Sequence, residues 1–146
     1  MRKSEEFYVD EKRYFITQYD VPFGLTLGGR LAKILGKPMG LFMKAQDKDV
    51  GDVIGEAVSA LFENMKPEEL PSLVQQILTG THIFEDNGRH RQIKIEIDLD
   101  DYGHIFNLLK VVFGFQFESL KKAFAAFRGA APMAQMPEIK NQIKAI

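Results

Sequence analysis

Histidine is the residue type in this chain best suited to chemistry, since the sequence holds His82, His90 and His104 and no cysteine. His82 and His90 flank one turn, with Glu85 and Asp86 close by, a set of types that can hold a divalent metal. A helical zinc site needs two imidazoles at i and i+4, as in His-Glu-x-x-His, and no pair here has that spacing. Arg89 and Arg91 bracket His90, and their charges oppose a bound cation. Ordinary histidines, two of them in a hairpin, are the better reading. No metal and no other cofactor is expected.

Other constellations fail on spacing. The stretch Leu27-Gly28-Gly29-Arg30 to Gly36-Lys37-Pro38 has the glycines and lysine of a phosphate loop. Pro38 stands where a Ser or Thr must reach magnesium, so a turn-rich surface segment fits better. The acidic pairs Glu68-Glu69 and Asp100-Asp101 sit at predicted helix starts, where exposed N–H groups stabilise carboxylates. Ser4, Ser59, Ser72 and Ser119 lack a Gly-x-Ser-x-Gly context. The residues assemble no catalytic set, and an enzyme is not expected.

The elements that would position any site follow from periodicity. Residues 13–19 are rich in aromatic and β-branched side chains and predict a strand, with Phe7–Val9 as its partner. Leu25, Leu27, Leu31, Ile34 and Leu35 predict a short helix stopped by Gly36 and Pro38. Val50, Ile54, Ala57, Val58, Leu61 and Met65 form a helical stripe. A second helix begins at Pro67, carries Leu70, Leu73, Val74, Ile77 and Leu78, and ends at Thr79-Gly80. His82 to Ile97 reads as two strands about Asp86-Asn87-Gly88, with Ile93, Ile95 and Ile97 alternating with polar residues. Asp98 or Asp100 can cap the next helix, which carries Tyr102, Ile105, Phe106, Leu109, Val112, Phe113, Phe117, Leu120, Phe124 and Phe127. Gly114 predicts a kink or a break within it. The fold class is therefore α+β, mainly α-helical with a small antiparallel sheet or hairpin.

The chain has 146 residues, a hydrophobic fraction of 45%, a charged fraction of 27% and a formal net charge of -1. That is enough to bury a core without disulfide or metal staples. Near-neutral charge argues against a dedicated nucleic-acid binder, which presents a basic face. No run approaches the roughly 18 apolar residues of a membrane span, and no signal peptide is visible, so a cytoplasmic protein is expected. Residues 1–128 read as one globular domain and residues 129–146 as a flexible C-terminal tail.

Most of the aromatic series on the last helix reads as core. Phe113, Phe115 and Phe117 straddle Gly114, so their rings point in different directions, and at least one is expected to reach a partner or a second copy. Met133 and Met136, adaptable side chains in a Pro/Ala-rich tail, fit a docking segment. These five are the expected partner-binding residues.

Taken together, Val58-Ser-Ala-Leu-Phe-Glu-Asn-Met, Pro67-Glu-Glu-Leu through Ile77-Leu78, and Asp98 to Phe117 resemble the phage tail assembly chaperones. In that family a helix leads through a charged link to a leucine-rich helix. A variable strand pair follows, then an acidic residue, an aromatic residue and a hydrophobic helix. Here those last features are Asp101-Tyr102, Ile105-Phe106-Asn107-Leu108-Leu109-Lys110 and Phe113-Gly-Phe-Gln-Phe. Where the commonest pattern has Asn before the final aromatic, this chain has Gln116. The resemblance covers roughly residues 13–125. It implies a non-enzymatic protein of a phage or prophage that binds the tape-measure protein and recruits tail-tube subunits, in the host cytoplasm. It implies no nucleic-acid or membrane partner, leaves a homo-oligomer open, and often goes with a frameshifted longer product. A small helical adaptor unrelated to phage tails would show the same helices and the same lack of chemistry.

Overall fold

The computed structural model describes residues 2–36 and 50–129, with side chains for all of these except Val50 and residues 123–129. Strands β1 (Ser4–Val9) and β2 (Lys12–Thr17) form a hairpin in which Val9 faces Lys12. Its two turn residues, Asp10 and Glu11, have φ of 48° and 72°. Positive φ at both central positions matches the twist of a two-residue hairpin, and aspartate tolerates it better than most side chains. Strands β3 (Thr81–Phe84) and β4 (His90–Gln92) extend the sheet in the antiparallel order β1-β2-β3-β4. Gly88 closes the second hairpin at φ 84°.

Helices α1 (Val21–Leu35), α2 (Val50–Asn64) and α3 (Leu70–Ile77) lie between β2 and β3 in the chain. Asp20 caps α1 by accepting from the Phe23 N–H at 2.8 Å. This helix is longer than the short one expected. Each interior glycine costs about 1 kcal/mol against alanine. Gly24 and Gly28 are nonetheless buried beside Leu27 and Leu31, where the helix packs on α5 (Tyr102–Gly129). Leu25, expected on the apolar side, is 44% exposed. The α2 stripe holds as expected: Ile54, Ala57, Val58, Leu61 and Met65 are all buried. Pro67 opens a 3-10 turn, Pro67–Glu69, that feeds α3. Gly80 then turns the chain at φ 88°, and a Cβ there would lie 3.0 Å from the Thr17 carbonyl oxygen.

Two expectations fail after β4. The strand stops at Gln92, and Ile95–Asp98 forms the single turn α4, leaving Ile97 67% exposed. Side chains supply the bonds that a strand partner would have made. Asp98 accepts from the Lys94 N–H at 2.8 Å, and Gln75 accepts from the Ile95 N–H at 3.2 Å. Arg91 grips the same Asp98 carboxylate through both terminal nitrogens, at 2.6 and 2.8 Å. Asp98 is therefore spent on α4, and it is Asp101 that caps α5, accepting from the Gly103 N–H at 2.9 Å.

The predicted break at Gly114 is absent, because α5 runs 28 residues as one helix. Gly114 lies against α2, where an added Cβ would come to 3.7 Å from Ile54 Cδ1. α5 crosses the inner face of the sheet and is tied to it at Phe115 and Gln116. Phe115 meets Phe7 edge-on at 5.5 Å. The fully buried Gln116 amide accepts from the Tyr19 N–H at 3.1 Å and donates to the Thr17 carbonyl at 2.9 Å. Tyr19 reaches the other way and donates its hydroxyl to the Ile77 carbonyl, joining α3 to the same seam.

Candidate functional site: an apolar groove between four helices

The first turns of α5 are fixed by a polar lock. His104, 4% exposed, lies with Nδ1 2.9 Å from Asp10 Oδ2 and Nε2 2.5 Å from the Tyr14 hydroxyl. A carboxylate only accepts, so Nδ1 carries the proton, and in the neutral ring Nε2 accepts from Tyr14. Burial pushes the Tyr14 phenol well above its ordinary range, which keeps it a donor. Asn107 adds a second donor to Asp10 at 3.1 Å. The β1–β2 turn thus holds α5 at the position where its apolar stripe leaves the core.

That departure creates the groove. Along α5, Leu109, Val112, Phe113, Phe117 and Leu120 are buried, but Ile105 and Phe106 are only partly covered and Tyr102 is 91% exposed. Phe62 on α2, 39% exposed, stacks on Phe106 at 6.0 Å between ring centroids. With Pro67, Leu70, Pro71 and Val74 from the 3-10 turn and α3, and Ile95 from α4, they line a groove of about 570 Å³. Its polar lining is Ser59 and Glu63. Lys110 lies over the Phe106 ring, 5.3 Å from its centroid. Nothing in the groove pairs a nucleophile with a base. Its chemistry is the removal of apolar surface from water, worth about 25 cal/mol per Å².

The histidines separate as chemistry but not all in space. His82 and His90 meet across the β3–β4 hairpin with their Nδ1 atoms 2.8 Å apart, on the outer face of the sheet. Phe15 stacks on His90 at 4.6 Å, and Phe84 packs beside both rings. Burial, and then the neighbouring His90, lowers the pKa of His82. Glu85 turns away to Arg91 at 3.4 Å. Among the described residues, no group of three or more His, Asp or Glu side chains is placed to hold a metal. The glycines of the suspected phosphate loop, Gly28 and Gly29, are inside α1, while Lys37 and Pro38 lie outside the described residues.

Of the expected contact residues, Phe113 and Phe117 are 1% and 5% exposed and belong to the core. Phe115 is partly open, over a recess with Lys3, Gln18 and Val111. Met133 and Met136 lie outside the described residues. Sequence reasoning gave no site role to Phe62, Leu70, Tyr102 or Phe106. A usable signal was present, since Phe62 is an aromatic ring off an α2 stripe that is complete without it.

Two carboxylates in this framework set its acid response. Asp10 is held below its ordinary pKa by the His104 hydrogen bond and then by Asn107, and Asp98 by the Arg91 hydrogen bond and then by the Lys94 N–H. Their stabilisation is fully present above the ordinary aspartate value of 3.8 and is lost as pH falls through the lower folded-state pKa. The melting temperature is expected to drop steeply below pH 3.8, and Asp98→Asn should show a lower plateau at neutral pH with a shallower acid fall. A pH series of thermal melts of both proteins, from neutral down through the ordinary aspartate value of 3.8 and below it, checks this; parallel curves would refute it.

These features define an α+β domain organised by helix packing, with an apolar groove open between its helices. A family model described as phage tail assembly chaperone protein, TAC, matches residues 10–128, and the chain belongs to that family. It is thereby a protein of phage tail assembly that works with protein partners. Neither the curated proteins nor the solved structures gave a match. Among the described residues, no helix is long and apolar enough to cross a membrane.

Proposed function

We propose that this chain acts without catalysis in the host cytoplasm, binding the tape-measure protein and recruiting tail-tube subunits during tail assembly. The observation that carries the reading is the open groove, with Phe62 39% and Tyr102 91% exposed on its rim. An amphipathic helix laid into it would cover both surfaces at once, a recurrent way for one protein to keep another's apolar stripe in solution. A strand is the poorer fit. Helix walls have already used their backbone groups, so an extended segment would bring N–H and C=O groups with no partner, while a helix brings its own bonds satisfied. A small ligand is poorer still, because such pockets carry several convergent polar groups.

Phe115 beside β1, with Met133 and Met136 in the chain beyond α5, forms the second contact in this reading, the one suited to a tube subunit or another copy. Co-expression with the tape-measure protein of the same phage tests the proposal. The tape measure should move from the insoluble to the soluble fraction and co-purify. If it stays insoluble and unbound, a small adaptor for some other partner becomes the better reading.

A further inference from the structure

The groove has a sign as well as a shape. Glu63 lines it, and Glu68, Glu69, Glu96 and Asp101 each adjoin a lining residue. All five are exposed, and among the described residues none is held in an ion pair. The cations at the same rim are Lys66, Lys94 and Lys110, the last engaged over the Phe106 ring. Five carboxylates against three ammonium groups is a local excess of acid on a chain whose net charge is only -1. Apolar walls of low dielectric between like charges strengthen their summed field over the opening.

We infer that the occupant of this groove is an amphipathic helix of a partner protein whose apolar stripe is flanked by lysine or arginine. This rests on the groove reading proposed above and adds the charge of the segment it accepts. The apolar stripe fills the space between Phe62, Leu70 and Phe106, and its basic flanks meet Glu63 in the lining and the exposed carboxylates next to the lining residues. An acidic helix with the same stripe would pack equally well and be repelled at the rim. Rim charges act mainly on encounter and on choice between partners, and salt weakens them.

Two synthetic helices with identical leucine stripes, one flanked by lysine and one by glutamate, test this against the full chain by fluorescence anisotropy. The lysine-flanked helix should bind at least tenfold more tightly at low salt, with the gap narrowing severalfold at high salt. The triple variant Glu63→Lys, Glu68→Lys, Glu69→Lys, at exposed positions whose carboxylates hold no ion pair among the described residues, should reverse the preference. Equal binding of both helices overturns the charge inference and leaves the groove reading standing. Binding of neither helix overturns both. Dimerisation of the chain that Tyr102→Ala abolishes would assign the groove to a second copy and overturn the inference as well.

Discussion

Replacing Phe62 and Tyr102 together by alanine should release the proposed partner, the tape-measure protein, while leaving the fold in place. Tyr102 is 91% exposed, so its truncation removes almost no packing from the isolated chain. Phe62 loses its stack on Phe106, a surface contact of modest worth. The Tyr102 change should alter stability by about 0.5 kcal/mol or less and the Phe62 change by about 1 kcal/mol. In a complex, the same rings would sit at the rim of a desolvated groove, where a truncated aromatic anchor costs about 2 kcal/mol or more. Two such losses, not fully additive, should weaken binding by roughly 30- to 300-fold. The check is retention of the partner on the immobilised double variant beside its melting temperature. Full retention with an unchanged melt would place the partner elsewhere on the molecule.

Gln116→Met is expected to have the opposite profile, a large loss of stability with no groove residue touched. Methionine nearly matches glutamine in volume, so the change isolates the two hydrogen bonds rather than opening a cavity. The Tyr19 N–H and the Thr17 carbonyl would be stranded where the amide now meets them at 3.1 and 2.9 Å. An unsatisfied buried polar group costs about 1–3 kcal/mol, which gives about 2–4 kcal/mol for the pair, with the carbonyl at the lower end. For a chain of this length that corresponds to a melting temperature lower by roughly 6–15 °C. Thermal unfolding followed by circular dichroism measures it. A shift of a degree or two would mean that water replaces the amide at no cost.

Gln116 also shows how a residue can be noticed in sequence for the wrong reason. It stood out as a departure from the family's usual Asn, in a helix otherwise devoted to apolar packing. Its role depends on Thr17 and Tyr19, 99 and 97 residues away along the chain, and no local pattern encodes that distance. His104 is similar. In sequence it is one of three scattered histidines weighed as metal ligands, yet it closes the contact between Asp10 and Tyr14. The Ile93, Ile95, Ile97 alternation misled because period two fits a strand wherever nothing else claims the backbone. Here Gln75 and Asp98 claim it.

What the sequence determined by itself was most of the set of elements. The helical stripes of α2, α3 and α5 and the turn residues Asn87-Gly88 and Gly80 act through near neighbours, so local spacing expresses them fully. The family resemblance was likewise carried by those patterns, and the match over residues 10–128 agrees with it. The tertiary structure alone decided which apolar residues remain open. The α5 stripe reads the same from Tyr102 to Leu120. It becomes a groove at Tyr102, Ile105 and Phe106 because α2, α3 and α4 approach there without closing over them. Burial is a property of what packs against a side chain, and a one-dimensional pattern says which face is apolar without saying what covers it.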